Sequence, residues 1–159
     1  MPNPEIVDEV DAKLLLALND DPRATVVALA QRTGLARNTV HARLAKLENS
    51  GGLEAFDHRI DPAALGYPLT AFVTVHVTQR MLAELSEAFS NVPEIIEVIG
   101  ISGPADLLVR VAAVDADDLY RIAGQILATP GVERTSTALA MRTLVDYRLT
   151  PLLRRRLRT

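Results

Sequence analysis

The sequence predicts an α+β protein in which an N-terminal winged helix–turn–helix is joined by a linker to a ferredoxin-like βαββαβ domain. In the first third of the chain, apolar residues recur at the spacing of amphipathic helices, and after about residue 53 the apolar period falls to two. After residue 69, strand-like and helix-like segments follow in the order β-α-β-β-α-β, the split βαβ arrangement. The predicted boundaries are residues 1–60 for the winged helix–turn–helix, 61–69 for the linker, 70–148 for the second domain and 149–159 for a basic C-terminal tail.

Two helices are predicted before residue 34. Asp8 is in position to cap the first helix, and the Asn-Asp-Asp-Pro run at residues 19–22 is expected to stop it. Thr25 is in position to cap a short second helix over residues 26–32, and Gly34 suits the left-handed conformation that ends many helices. The apolar pattern of the first helix consists of Ile6, Val7, Val10, Leu14, Leu15 and Leu18, and the expected inward face of the second consists of Val27, Leu29 and Ala30.

A third helix is predicted over residues 37–50. Val40, Leu44 and Leu47 lie at i, i+4 and i+7, which places them on one buried stripe, and the glycine pair that follows Ser50 ends the helix. Residues 53–60 alternate loosely between apolar and polar side chains, so we expect a short hairpin or wing there.

The second domain is predicted to contain four strands and two helices. Segments rich in β-branched residues indicate strands, and amphipathic segments between them indicate helices. We expect a four-stranded antiparallel sheet with both helices on one face; the other face, left apolar in a monomer, predicts self-association. The elements are a strand at 70–78, a helix at 81–91, strands at 94–101 and 106–114, a helix at 115–129 and a long last strand at 132–147.

Composition excludes several classes of function. The chain has no cysteine, and its three histidines, His41, His58 and His76, are too dispersed for a recognisable metal site. No apolar run approaches the ~18 residues of a membrane span, and the acidic N-terminus is unlike a signal peptide. No nucleophile–base pair, phosphate-binding glycine loop or carboxylate dyad is visible. We therefore expect a cytoplasmic protein that is not an enzyme and has no membrane partner, metal or cofactor.

Charge is unevenly distributed along the chain. The net charge is −3, yet residues 31–60 carry five basic side chains against three acidic ones, and residues 148–159 carry five arginines and no acid. Because salt screens fields over about 10 Å, a locally positive surface can bind a polyanion despite the overall charge. The composition is thus compatible with nucleic-acid binding.

The outward face of the third helix carries side chains suited to duplex DNA. With the apolar stripe inward, Arg37, Asn38 and Thr39 lie at the start of the helix, where base edges are usually met. Arg43 and Lys46 are better placed for phosphates, and His41 lies on the same face. An ordinary three-helix bundle with a solvated polar face would give the same pattern.

The chain resembles the Lrp/AsnC (feast/famine) transcriptional regulators over roughly residues 6–148. In the second half the resemblance continues through Pro93-Glu94-Ile95, through residues 103–108 and through residues 130–135. The matching residues of the first half are Val7, Asp8, Asp11, Leu14, Leu15, Leu18, Asp21, Pro22, Arg23, Leu29, Ala30, Thr33, Gly34, Leu35, Val40, Arg43, Leu44, Leu47, Glu48 and Gly51.

This resemblance implies a DNA-binding regulator whose second domain senses a small molecule and forms oligomers. The expected partners are a pseudo-palindromic duplex, an amino-acid effector and further copies of the chain, as a homodimer or a higher oligomer. In the family the effector cleft between subunits is lined by the turn that holds Gly103 and Asp106 here. Asp106 is then the candidate for an effector's ammonium, and Thr135 and Thr137 are candidates on the last strand.

The chain departs from the family pattern at three places. Ala36 stands where a serine usually caps the third helix, and Gly51-Gly52-Leu53 opens the predicted wing. Pro104 and Ala105 replace the acidic and aromatic residues usual in the effector turn. The last departure leaves the identity and the existence of the effector open.

Two other functions fit the same scaffold. The chain could be an architectural DNA-binding protein without an effector. It could also be an enzyme similar to the siroheme decarboxylases, which look like Lrp/AsnC proteins and rely on His and Arg around a tetrapyrrole. His76 and Arg110 are the evident pair for that role here.

Overall fold

The computed structural model describes residues 6–158 and divides into two compact units. The first unit comprises the chain up to Arg59 together with the segment from Val145 onward; the second is Ile60–Leu144. Residues 1–5 of the predicted first domain and Thr159 of the predicted tail lie outside the described residues. No helix in the described range is long and apolar enough to cross a bilayer.

Among the described residues, the two units contain six α-helices and four β-strands. The helices are α1 (Glu9–Asp20), α2 (Val26–Thr33), α3 (Arg37–Asn49), α4 (Leu82–Ser90), α5 (Ala116–Ala128) and α6 (Thr150–Arg156). The strands are β1 (Leu69–Val77), β2 (Ile95–Gly100), β3 (Leu107–Ala113) and β4 (Val132–Leu139).

The start of α1 is fixed by a reciprocal cap. Asp8 Oδ1 accepts a hydrogen bond from the Asp11 N–H at 2.8 Å, and Asp11 Oδ2 accepts one from the Asp8 N–H at 3.2 Å. This capping box satisfies N–H groups that otherwise lack a partner at the start of a helix. The predicted cap at Asp8 is confirmed.

Helix α2 begins and ends as expected, and two of its three predicted inward residues, Leu29 and Ala30, are buried. Thr25 Oγ1 accepts from the Ala28 N–H at 3.2 Å, and Gly34 has a φ of +71°. The inward orientation predicted for Val27 is wrong, since Val27 is 40% exposed whereas Leu29 is 1% exposed. Val26 takes its place against the core of the unit. Because successive helical residues are about 100° apart, the face that contains Val26 and Leu29 turns Val27 outward.

Helix α3 presents its predicted stripe to the core, but no wing follows it. Val40 is fully buried and Leu47 is 3% exposed. The hairpin predicted at residues 53–60 is wrong, since these residues contain no strand and Phe56–Arg59 form a short 3₁₀ helix. The Leu53 N–H bonds back to the carbonyl of Leu47, so the chain curls onto the end of α3 instead of extending.

The second unit has the predicted ferredoxin-like sheet. Its strand order is β2-β3-β1-β4 and every neighbouring pair is antiparallel. Alternate residues of β1 and β3 point to one face, where Leu85 and Phe89 of α4 and Ile122 and Ile126 of α5 pack against them. This packing is the hydrophobic core of the unit. The buried strand residues are Ala71, Val73, Val75 and Val77 in β1 and Leu107, Val109, Val111 and Ala113 in β3.

Strand β4 is shorter than predicted. It ends at Leu139, whereas the sequence suggested a strand up to residue 147. The last bond to β1 runs from the Ala140 N–H to the carbonyl of Thr70, and β1 itself begins at Leu69, directly after Pro68. Beyond Ala140 the edge strand therefore has no partner with which to continue the ladder.

The face of the sheet without helices is mixed rather than apolar. Phe72 is 36% exposed and Ile99 is 42% exposed, and both lie on this face according to the strand register. Arg110 lies next to Phe72 in its row and Glu97 lies next to Arg110, and Arg134 lies beside His76. Self-association through this face stays a prediction.

Candidate DNA-binding and effector sites

The first turns of α3 form an exposed polar surface. Arg37, Asn38, Thr39 and His41 are all exposed, as the sequence predicted. Ala36 occupies the N-cap position and makes no side-chain hydrogen bond there, in line with the departure noted in the sequence. The hydrogen-bonding groups of Arg37 and Asn38 are thus presented outward from a helix whose other side is anchored in the core.

Arg43 does not lie free on this surface. One of its guanidinium nitrogens, Nη1, donates to Asp11 Oδ1 at 3.1 Å and also to Asp8 Oδ2. The Arg43 side chain is 29% exposed, and Asp11 is 1% exposed. These bonds direct Arg43 toward α1, since a long side chain can leave its own helix face and reach carboxylates on a neighbouring helix. The phosphate contact predicted for Arg43 is not tested by this geometry.

Asp8, Asp11 and Arg43 form one network, the α1–α3 clamp. Each carboxylate uses one oxygen in the capping box and the other for Arg43, so all four carboxylate oxygens are bonded. The pKa of Asp8 is lowered, first by the hydrogen bond from the Asp11 N–H and then by Arg43. The pKa of Arg43 is raised by its hydrogen bonds to Asp8 and Asp11. The clamp ties the start of α1 to the middle of α3.

Lys46, the second residue predicted for phosphate contact, is half-buried on the following turn of α3. The predicted DNA surface is therefore exposed at the start of the helix and becomes progressively covered along it.

The predicted effector turn is held to the end of the sheet by Asp106. The Asp106 N–H donates to the carbonyl of Val75 at 3.0 Å, and Asp106 Oδ2 accepts from the Val77 N–H at 2.9 Å. This second bond lies where the β1–β4 register shifts, between His76 and Val77. Asp106 Oδ1 accepts no hydrogen bond from the part of the chain that the structure describes. Gly103, with a φ of +133°, lies exposed in the same turn.

Within one chain the four predicted effector residues do not share a pocket. Thr135 pairs with Val75 on the side of β1 opposite Leu107, so it lies about two strand spacings, ~10 Å, from β3. Thr137 is exposed and lines a shallow pocket of about 240 Å³ against α5, where Leu119, Tyr120 and Ala123 are its neighbours.

The His76–Arg110 pair is not formed. His76 Nε2 lies 2.8 Å from Arg134 Nη2, while Arg110 lies opposite Phe72 in the strand register. Because a guanidinium only donates, Arg134 is the donor in this contact and His76 Nε2 the acceptor. The two residues proposed for an enzyme of the siroheme decarboxylase type thus lie on separate rows of the sheet.

Two structural features were missed in the sequence. Asp11 is the buried partner of Arg43, and its spacing of three residues from Asp8 is the signal that could have identified it.

The segment assigned to a basic tail forms α6, which contacts α1. The signal for α6 is the run of leucines at residues 149, 152, 153 and 157, which is compatible with an apolar helical face.

Two family models match this chain and confirm the resemblance seen in the sequence. The model described as the AsnC-type helix–turn–helix domain matches residues 7–48. The model described as the Lrp/AsnC ligand binding domain matches residues 70–150.

Relatives and solved structures agree with these matches. The HTH-type transcriptional regulator FL11 of Pyrococcus horikoshii is 35% identical over 86% of this chain and 91% of its own length. A feast or famine regulatory protein from M. tuberculosis, solved as a complex with L-methionine, is 27% identical, with a TM-score of 0.78 over 90% of this chain and 97% of that one. E. coli AsnC shares the fold at 19% identity, with a TM-score of 0.81 over 92% of this chain and all of that one. The chain therefore belongs to the Lrp/AsnC family of transcriptional regulators, with an AsnC-type helix–turn–helix domain and an Lrp/AsnC ligand binding domain.

Proposed function

We propose that the chain recognises a specific duplex sequence with the first turns of α3. The observation that carries this proposal is the exposed group of Arg37, Asn38 and Thr39 at the start of a helix anchored by Val40 and Leu47. Arginine can bind guanine and asparagine can bind adenine through two hydrogen bonds in the major groove. A homodimer or higher oligomer would present two such helices to the halves of a pseudo-palindromic site.

Arg37→Ala tests this proposal. A duplex selected from a random pool with the wild-type protein serves as the operator, and a scrambled duplex serves as the reference. We expect Arg37→Ala to lose about 1–2 kcal/mol for each half-site of the operator, about five- to thirty-fold in Kd per half-site, because each bound subunit loses one base contact. Binding to the scrambled duplex should change much less. Titrations at one fixed salt concentration measure both.

Lys13→Ala is the matched control for this experiment. Lys13 is an exposed cation of α1 that pairs with Glu9 at 2.7 Å, so its removal changes the net charge equally without touching α3. We expect it to leave the preference for the operator intact. Equal losses on operator and scrambled duplex for Arg37→Ala would contradict base recognition by this residue.

We further propose that an amino acid regulates DNA binding or the oligomeric state through the second unit. The L-methionine bound by the M. tuberculosis relative supports this ligand class. Asp106 Oδ1 is available for an ammonium group, and Gly103 lies exposed in the same turn. Since Thr135 and Thr137 are distant from Asp106 within one chain, a complete site would draw some of these residues from neighbouring subunits.

Asp106→Asn tests the role of Asp106 in effector binding. The amide oxygen can still accept from the Val77 N–H, so the variant removes the charge and keeps the structural bond. Melting temperatures are recorded with each of the twenty amino acids. A ligand at a hundred times its Kd is expected to stabilise the wild type by about 2.7 kcal/mol. We expect this stabilisation to disappear in Asp106→Asn and to persist in Asp117→Asn, which removes an exposed acid from α5. Stabilisation that survives in Asp106→Asn would locate the effector elsewhere.

A further inference from the structure

The segment that follows β4 carries a concentrated positive charge on an ordered helix. Residues 148–158 contain five arginines and no acidic residue. Helix α6 forms within this segment and contacts α1. Leu153 and Leu157 are half-buried, whereas Arg154, Arg155, Arg156 and Arg158 are exposed. The arginines are therefore carried outward by a helix that is attached through its apolar side.

This segment reverses the charge of the helix–turn–helix unit. Residues 1–59 hold seven Lys or Arg against nine Asp or Glu, a net charge of −2. Addition of residues 145–159, which belong to the same unit, gives twelve basic residues against ten acidic ones, a net charge of +2. The other unit, residues 60–144, has five basic and ten acidic residues. Without the segment, both units would be net negative, and attraction to a duplex would depend on local positive surfaces alone.

Three of the five cations on the first three helices are paired with carboxylates of their own unit. Lys13 pairs with Glu9, Arg32 pairs with Asp20 and Arg43 is held in the α1–α3 clamp. These side chains are neutralised by carboxylates of their own unit. Phosphate binding supplies most of the sequence-independent affinity of DNA-binding proteins, and the pairing of these three cations leaves less positive charge on α1, α2 and α3 for it.

We propose that α6 is a second DNA-binding element, whose arginines bind duplex phosphates independently of base sequence. In this arrangement α3 discriminates between sequences, and α6 provides affinity for any duplex. The partner is identified by its chemistry as a regular array of phosphate charges, which matches closely spaced guanidinium groups. The proposal concerns affinity for any duplex, so it stands apart from base recognition by Arg37.

The test compares two double variants of the full chain on a random duplex. Arg154→Gln/Arg156→Gln removes two charges from α6, and Arg80→Gln/Arg142→Gln removes two exposed charges from the other unit. We expect the α6 variant to bind about tenfold or more weakly at 0.1 M salt. Its plot of log affinity against log salt should become shallower by about 0.9 for each phosphate that the variant no longer neutralises. The control variant should keep the wild-type slope.

Further measurements separate charge from folding and from base recognition. Arg154→Lys/Arg156→Lys keeps the charge and is expected to retain the wild-type slope. Melting temperatures of all variants should stay close to that of the wild type, because the substituted side chains are exposed. The ratio of operator to random affinity should be unchanged in the α6 variant, whereas Arg37→Ala lowers it.

A wild-type salt slope in Arg154→Gln/Arg156→Gln would overturn the proposal. A change in oligomeric state with no change in slope would overturn it as well, since the arginines would then serve a protein contact. If Arg37→Ala fails to lower the operator preference while the α6 variant still shows a shallower slope, base recognition fails and the role of α6 stands.

Discussion

Arg43→Met is expected to destabilise the helix–turn–helix unit by about 2–3 kcal/mol, because it leaves the buried carboxylate of Asp11 without its cation. Asp11 Oδ1 and Asp8 Oδ2 would both lose their only side-chain donor among residues 6–158. The two carboxylates would also repel each other without a guanidinium between them. Methionine preserves the length and apolar stem of the side chain, so the loss reports mainly on the ion pair. Denaturant unfolding of the full chain, followed by circular dichroism, measures this loss.

The exposed pair between Arg32 and Asp20 provides the control for Arg43. It belongs to the same unit, its N–O distance is 3.3 Å, and both side chains are more than two-fifths exposed. Exposed pairs contribute about 0–1 kcal/mol, so Arg32→Met should cost much less than Arg43→Met. Equal and small losses for the two variants would contradict a structural role for the clamp.

DNA binding gives an independent check on Arg43. Because its guanidinium is bonded within the protein, we expect Arg43→Met to leave the salt slope of DNA binding unchanged at a temperature where the variant is folded. A slope shallower by about 0.9 would instead assign Arg43 to a phosphate.

The contrast between Arg37 and Arg43 indicates what the sequence can predict about this site. The Val40, Leu44 and Leu47 stripe correctly fixed which side of α3 is buried, and hence the exposure of Arg37 and its neighbours. A helical projection does not predict where the end of a long side chain goes. Arg43 leaves its projected direction because two carboxylates of another helix offer it bonds, and this depends on how α1 and α3 pack.

The same distinction holds for the fold. Helix ends set by local chemistry, such as the cap at Asp8 and the left-handed Gly34, were predicted to within a residue or so. The end of β4 was not, because it depends on where its partner strand β1 begins. The wing was missed for a similar reason: an alternating pattern makes a strand only if the fold supplies a neighbour, and residues 53–60 have none within their described unit.

Gly131→Ala is expected to destabilise the second unit by about 3–5 kcal/mol, since it adds backbone strain to a steric clash. Gly131 lies in the turn between α5 and β4 with a φ of +94°. A Cβ at this position would lie 2.8 Å from Met81 Cβ and 3.1 Å from Met81 Cγ. Because Met81 Cβ is attached directly to the backbone, no rotation of the methionine side chain relieves the contact. The bond from the Thr78 N–H to the Gly131 carbonyl, 2.9 Å, would be strained by the same shift.

Gly66→Ala separates the two contributions at Gly131. Gly66 has nearly the same φ, +92°, but a Cβ there would meet no atom within 4 Å. Gly66→Ala should therefore lower the free energy of unfolding only by the backbone strain, about 1–2 kcal/mol. The difference between the two variants in denaturant unfolding gives the cost of the contact with Met81. Equal losses would show that the turn after α5 yields to an added methyl group, and that close packing between Gly131 and Met81 does not hold this end of the sheet in place.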